Sequence, residues 1–188
     1  MRVIAGKAKG RKLRSVPGPG TRPITDRAKS ALFSILGESV QEATFLDLFA
    51  GTGQVGIEAL SRGAARAVFV EQGEAALRTI HQNLSLTELQ TGAEVRKADV
   101  FQYLGRPTTG AFDFIYVAPP QYRGLWKQTL SRLDQQMEWL AEDGWVIVQI
   151  HPVEFEELPL QHLVLFDQRQ YGSVMLCFYG RPTPEDDL

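Results

Sequence analysis

The sequence predicts an α/β protein built on an open, Rossmann-like sheet of seven mostly parallel strands. Three observations carry this. Short apolar runs alternate with amphipathic stretches from residue 44 to residue 150. The first run breaks into a glycine-rich turn, Asp47-Leu48-Phe49-Ala50-Gly51-Thr52-Gly53, and a helical pattern follows at once. The last two apolar runs, 162–168 and 173–179, have only residues 169–172 between them. That gap is too short for a parallel crossover, so they pair as an antiparallel hairpin and reverse one strand.

In chain order, Val3 and Ala5 alternate ahead of a glycine- and lysine-rich turn (residues 6–10), and residues 12–14 return. This predicts a β-hairpin with basic side chains at its tip. Residues 16–20, Val-Pro-Gly-Pro-Gly, read as linker. Thr25 suits an N-cap with Asp26 in the first turn, and Ala28, Ala31, Leu32, Ile35 and Leu36 form the stripe of a helix that Gly37 ends. Strand 44–50 leads to a helix over about 54–62. Strand 67–71 leads to a helix over about 74–86, with Ala76, Leu77, Ile80 and Leu84 on one face. A short strand near 93–98 ends at Asp99. Strand 112–117 stops at Pro119-Pro120, and a helix over about 123–140 leads to strand 144–150. The chain divides into a basic arm and linker (1–20), an α/β domain (21–180) and a tail (181–188).

The 188 residues fit one α/β domain with a small appendage. With 44% apolar and 22% charged residues, the composition is that of an ordinary globular domain rather than a disordered chain. No apolar run reaches bilayer length, and the first residues lack the apolar core of a secretory signal, so a cytoplasmic location is expected. Three scattered histidines and the single Cys177 give no metal-ligand spacing and no disulfide framework. The net charge of −2 hides an asymmetry. Residues 1–29 carry nine Lys/Arg against Asp26 alone, which gives +8 there and −10 over the rest. A basic arm on an acidic body is a nucleic-acid footprint, because neutralised phosphates supply most non-specific affinity. A merely solubilising tail is the alternative.

The glycine turn places a ligand crevice beyond the strand ends, with free helix N–H groups facing it. Gly51, Gly53 and Gly56 match G-x-G-x-x-G, and Glu71 follows Gly51 by twenty residues, so a dinucleotide stays open as a ligand. Asp47 favours another. A carboxylate at the crevice mouth repels a pyrophosphate and suits an ammonium or sulfonium, so the site reads as one for S-adenosylmethionine. Glu71, at the end of its strand, can accept both ribose hydroxyls. Asp99 reads equally as an adenine partner, with Val100-Phe101 over the ring, or as a helix N-cap. The carbonyls of Ala118 and Pro119 can accept from an amine. Pro119-Pro120 stiffens the strand exit, and Tyr122 can stack on a base.

The sequence resembles the RsmD-type family of bacterial 16S rRNA guanine-N2 methyltransferases, which have the class I S-adenosylmethionine-dependent fold. The likeness runs along nearly the whole chain: residues 2–6 (Arg-Val-Ile-Ala-Gly), Arg22-Pro23-x-Thr25-Asp26-Arg27, residues 47–53, residues 58–64 and Val70-Glu71. The resemblance implies S-adenosylmethionine held at Asp47, Phe49, Ala50, Gly51, Thr52, Gly53, Glu71, Asp99 and Val100, with Arg22 and Thr25 assisting. It implies a target guanine at Ala118, Pro119, Pro120 and Tyr122. It also implies 16S rRNA of the small ribosomal subunit as partner, gripped by Arg2, Lys7, Lys9, Arg11, Lys12, Arg14, Arg22 and Arg27. No metal is implied, and a monomer is expected. One departure stands out. Ala118 occupies the place of the family's Asp or Asn, and Gln121 displaces the aromatic residue to Tyr122. A lost hydrogen bond of that kind costs on the order of 1–3 kcal/mol, about one to two decades in rate, so activity is expected to survive. Two rivals stand beside this reading: a catalytically impaired RNA- or ribosome-binding module, and a methyltransferase acting on DNA or another RNA amine. Deleting residues 1–14 is expected to weaken RNA binding and spare cofactor affinity.

Overall fold

The computed structural model describes residues 1–19 and 23–186; Arg22, which carries two of the expected contacts, lies outside them. Seven strands form one sheet in the order β3-β2-β1-β4-β5-β7-β6: β1 Thr44–Leu48, β2 Arg66–Glu71, β3 Ala93–Lys97, β4 Phe112–Val117, β5 Leu140–Ile150, β6 Val164–Tyr171 and β7 Val174–Gly180. The first five run parallel, and β7 inserts antiparallel between β5 and β6. This is the seven-stranded sheet with a reversed strand that the sequence predicts. The strand order turns back between β1 and β4, which both carry the crevice residues. That reversal is where open α/β sheets bind ligands.

Alternation along the strands divides the core into two layers. Phe45 packs with Phe33, Ile57, Phe69 and Ile80 under helices α1 (Asp26–Leu36), α2 (Gln54–Ser61) and α3 (Glu74–Thr87). Leu46 and Leu48 face the other way, onto Trp126, Leu130 and Leu104 of α5 (Leu125–Gln135) and α4 (Val100–Leu104). A period of two along buried parallel strands requires this two-sided burial.

The fifth helix is shorter than predicted. Tyr122 and Gly124 hold left-handed φ values of 63° and 66°, which delays its start, and a short 3-10 turn, Met137–Trp139, replaces its last turn. Strand β5 therefore begins at Leu140, before a register shift opposite Phe112 and Phe114 that Gly144 accommodates. The first residue of the tail is tied down, because the Arg181 guanidinium donates to the carbonyls of Leu140 (3.0 Å) and Met137 (3.2 Å).

The amino-terminal arm is antiparallel, with Val3 N–H donating to Arg11 O (3.0 Å) and Leu13 N–H to Met1 O (3.0 Å), but only one bridge, Arg2–Lys12, is regular. The arm is docked on α2. Ile4 and Ala5 N–H donate to the Glu58 carboxylate (2.9 and 3.1 Å), Ala8 N–H donates to Ser61 Oγ (2.9 Å), and Val3, Ala8 and Leu13 are buried. No helix among the described residues is long and apolar enough to cross a membrane.

Candidate active site

A cavity of about 810 Å³ opens at the carboxyl ends of β1, β2 and β4, lined by Asp47, Glu71, Asp99 and Ala118, among others. The sequence of the turn after β1 explains its shape. Gly51 and Gly53 hold φ of 58° and 78°, and Phe49 holds 60° despite carrying a Cβ. A Cβ on Gly51 would meet nothing within 4 Å, so the cavity comes up to bare backbone there. Gly56 serves packing instead, since a Cβ on it would lie 2.4 Å from the Phe69 ring.

Asp47 is only 1% exposed, and its Oδ2 accepts from the Gly56 N–H at 3.1 Å, in the first turn of α2. It forms no ion pair among the described residues. Burial pushes its carboxyl well above the usual carboxylate range. The Gly56 bond pulls it partly back, and the nearby Glu71 charge pushes it further up. A buried acid with no countercharge among the described residues fits a cationic ligand. Glu71 accepts from Gly51 N–H (2.9 Å) and Gly73 N–H (2.9 Å), which joins the ends of β1 and β2 at the cavity rim. Asp99 caps α4 through Oδ1, which accepts from Phe101 and Gln102 N–H (2.9 and 3.1 Å), and it lines the cavity as well. The two readings of Asp99 are geometrically compatible, because capping uses one oxygen.

The structure brings Phe49, Ala50, Gly51, Thr52, Val100, Ala118, Pro119 and Pro120 onto the same cavity. Three expected residues lie elsewhere. Gly53 turns inward, where a Cβ would be 3.3 Å from Ile80. Thr25 caps α1, accepting from Ala28 N–H at 3.2 Å, and its neighbours Pro23 and Ile24 line the wall instead. Tyr122 is 65% exposed and outside the lining, with its ring 6.1 Å from that of His151. Its N–H donates to Glu154 (2.8 Å), which fixes the turn.

Sequence reasoning passes over Gln54, Tyr116, Arg123 and Gln149, all of which line the cavity. Gln54 follows directly on the glycine turn, a position that could have marked it. The other three carry no pattern.

The basic arm is partly committed to the protein itself. Lys29 is fully buried, donating to Arg2 O (2.6 Å) and Gln54 Oε1 (3.0 Å) beside Glu58 (3.5 Å), so it cannot meet a phosphate. Burial lowers its ammonium pKa, and the Glu58 charge offsets part of that. Arg2 pairs with Asp26 (3.6 Å), Arg11 pairs with Glu88 (3.1 Å), and Arg27 lies 6.0 Å above the Tyr171 ring. Lys7, Lys9, Lys12 and Arg14 are exposed and form no ion pair among the described residues. Asn83, fully buried, accepts from Arg14 N–H (2.7 Å) and donates to Arg14 O (3.0 Å) and Thr52 O (2.9 Å), tying the arm to the glycine turn. Deleting residues 1–14 would strip these contacts and open the core, so it does not separate RNA binding from cofactor binding. Charge substitution does. Replacing Lys7, Lys9 and Lys12 together by Glu is expected to lower RNA affinity at least about tenfold and flatten its salt dependence by roughly one unit of slope per lost phosphate contact. Cofactor affinity measured by calorimetry should stay as it was. Equal loss of both affinities would refute that division.

Residues 1–180 match the profile of a family described as Conserved hypothetical protein 95. YlbH of Bacillus subtilis, provisionally named an rRNA methyltransferase, is 38% identical over 186 residues, spanning 96% of this chain and 99% of that one. Ribosomal RNA small subunit methyltransferase D of Escherichia coli K12 is 37% identical over 150 residues, spanning 79% of this chain and 74% of that one. Among solved structures, an RNA methyltransferase from Salinibacter ruber in complex with S-adenosyl-L-homocysteine shares the fold, with a TM-score of 0.65 at 15% identity over 88% of this chain and 98% of that one.

Proposed function

The chain belongs to the RsmD-type family of small-subunit rRNA methyltransferases, and from that premise we propose that it transfers a methyl group from S-adenosylmethionine to the exocyclic N2 of a guanine in 16S rRNA. The observation that carries this reading is the placement of a buried carboxylate, Asp47, with no ion-pair partner among the described residues, on the same cavity as a bare glycine turn and the Ala118–Pro120 strand exit. An acid in that position suits the cationic methionine portion of the cofactor. Glu71, at the end of β2, suits the ribose, and the second oxygen of Asp99 suits the adenine amine.

S-adenosylmethionine supplies a sulfonium-activated methyl: as the guanine nitrogen's lone pair forms the N–C bond, the C–S bond breaks, a neutral thioether departs and the nitrogen's proton passes to solvent. The protein's share is alignment. Holding nitrogen and methyl in line at attack distance is the largest contribution open to a site without a required base. The amine is hidden in stacked or paired RNA, so the base must be extruded or lie in a loop. Arg123, exposed and lining the cavity, suits the phosphate of such a nucleotide. In this reading the arm and linker, residues 1–20, hold RNA in the cytoplasm, and the domain, residues 21–180, acts as a monomer.

The test is tritiated methyl transfer to small ribosomal subunits lacking the modification, with nucleoside analysis of the product. N2-methylguanosine in 16S rRNA is the expected result. Cofactor binding without transfer to any subunit or RNA would favour the second reading, a binding module, which the methyl side chain of Ala118 makes worth testing. Transfer only to DNA or another RNA amine would redirect the substrate.

A further inference from the structure

An exocyclic amine that attacks a methyl group must aim its lone pair at the carbon. That lone pair is conjugated with the base, so the nitrogen has to be held pyramidal, which takes an acceptor for each of its two N–H groups. At the β4 exit, carbonyls of the Ala118–Pro120 turn can take one N–H, and the side chain of Ala118 can take none.

The sheet register shows what stands beside that gap. Val117 pairs with Val148 in parallel, so the next step along both strands sets Ala118 beside Gln149, one strand spacing away. Both residues line the cavity. Two residues back on the same face of β4, Tyr116 is buried and its hydroxyl donates to Gln149 Oε1. Burial pushes the Tyr116 hydroxyl well above its ordinary pKa, so it remains a proton donor at any working pH. The bond orients the Gln149 amide, and its carbonyl oxygen keeps a second lone pair for a partner. Gln121, the other carboxamide near the turn, makes no hydrogen bond among the described residues. The two glutamines differ in preorganisation, and a preset acceptor loses less entropy when the amine arrives.

Resting on the methyltransferase reading above, we propose that Gln149, oriented by Tyr116, is a catalytic residue that holds the second N–H of the target amine beside Ala118. A neutral amide suits the task. It accepts from the amine without placing a second buried negative charge near Asp47.

The experiment compares Gln149→Leu, Tyr116→Phe, Gln121→Ala, Ala118→Asn and the double variant Gln149→Leu/Ala118→Asn in single-turnover methyl transfer to unmodified small subunits. Cofactor affinity and thermal melting serve as controls for folding. Gln149→Leu is expected to lower kcat about tenfold to a hundredfold, the value of one hydrogen bond to a reacting group, with the cofactor Kd unchanged. Tyr116→Phe is expected to lower it less, since the amide remains but turns freely. Placing an amide at 118 in the double variant should recover most of the loss, whereas Ala118→Asn alone, with Gln149 in place, should gain little; an equal gain in both backgrounds would mark a merely structural role for Gln149. A full rate in Gln149→Leu, a loss on Gln121→Ala alone, or no rescue in the double variant would each overturn the assignment. Absence of transfer by the unsubstituted protein would instead count against the methyltransferase reading, so the two failures are distinguishable.

Discussion

Replacing Asp47 by Asn is expected to make the ligand-free protein more stable at neutral pH while weakening S-adenosylmethionine binding about tenfold to a hundredfold or more, corresponding to ~1.5–3 kcal/mol for a hydrogen bond to a charged group. The two effects have one cause. In the folded chain the Asp47 carboxyl is held well above its ordinary pKa by burial. The folded state therefore binds that proton more tightly than the unfolded chain does. Its stability is favoured at pH values below the unfolded carboxyl's pKa of about 3.9. That stability is lost as pH rises toward the folded value, by ~1.4 kcal/mol for each pH step between the two. Above the folded value the ionised acid sits desolvated, with the Gly56 N–H alone to meet it among the described residues. Asparagine keeps an acceptor for Gly56 and removes the charge, so the acid-to-neutral decline in Tm should flatten. Saturating cofactor should reverse the ranking of the two proteins, because only Asp47 gains a cationic partner. Thermal melts from pH 4 to 8, with and without S-adenosylmethionine, check both halves. An affinity equal to that of the unsubstituted protein would reduce Asp47 to a helix-terminus contact.

Glu58→Leu carries the largest expected cost to folding, about 3–5 kcal/mol, the usual penalty for removing one partner of a buried ion pair. The carboxylate meets Lys29 in a site where both side chains are 0% exposed, accepts from the backbone of Ile4 and Ala5, and receives Arg62 Nε at 2.9 Å. Leucine would orphan two backbone N–H groups and leave the Lys29 ammonium to Arg2 O and Gln54 alone. Combining Glu58→Leu with Lys29→Met should recover part of the loss, because the uncompensated charge goes with it. Urea unfolding at pH 7 measures both. A cost below about 1 kcal/mol for the single variant would mean that the pair is hydrated and contributes little.

The framework of this molecule is written locally in the sequence, and its polar interior is not. The glycine turn, the acids at the strand ends and the proline stop each declare themselves within a few residues, so Asp47, Glu71, Asp99 and Ala118 can be placed on one crevice from sequence. Lys29 reads as one more charge in a basic run because its partner, Glu58, lies in another helix. Asn83 falls among Ile80, Leu84 and Thr87 on the buried face of α3, and nothing near it in sequence announces bonds to positions 14 and 52. Gln149 becomes meaningful only through the register between β4 and β5. Periodicity overextends the fifth helix for a related reason: its apolar period continues past the point where the backbone of Gln136, at φ −127° and ψ 65°, has left the helix.

The seat of the arm has a consequence for inheritance. At its crest Gly6, with φ of 86°, passes so close to the end of α2 that a Cβ would fall 1.8 Å from the Ser61 carbonyl oxygen, and Lys7 N–H donates to that same oxygen at 2.8 Å. Any side chain at position 6 would collide with fixed backbone. The arm is thus moulded to the end of α2, with further ties to Lys29 of α1 and Asn83 of α3, and makes little regular structure by itself. Residues 1–14 cannot be lifted off and grafted elsewhere as a portable RNA-binding tag; the arm and the helices that seat it must travel, and mutate, as one piece.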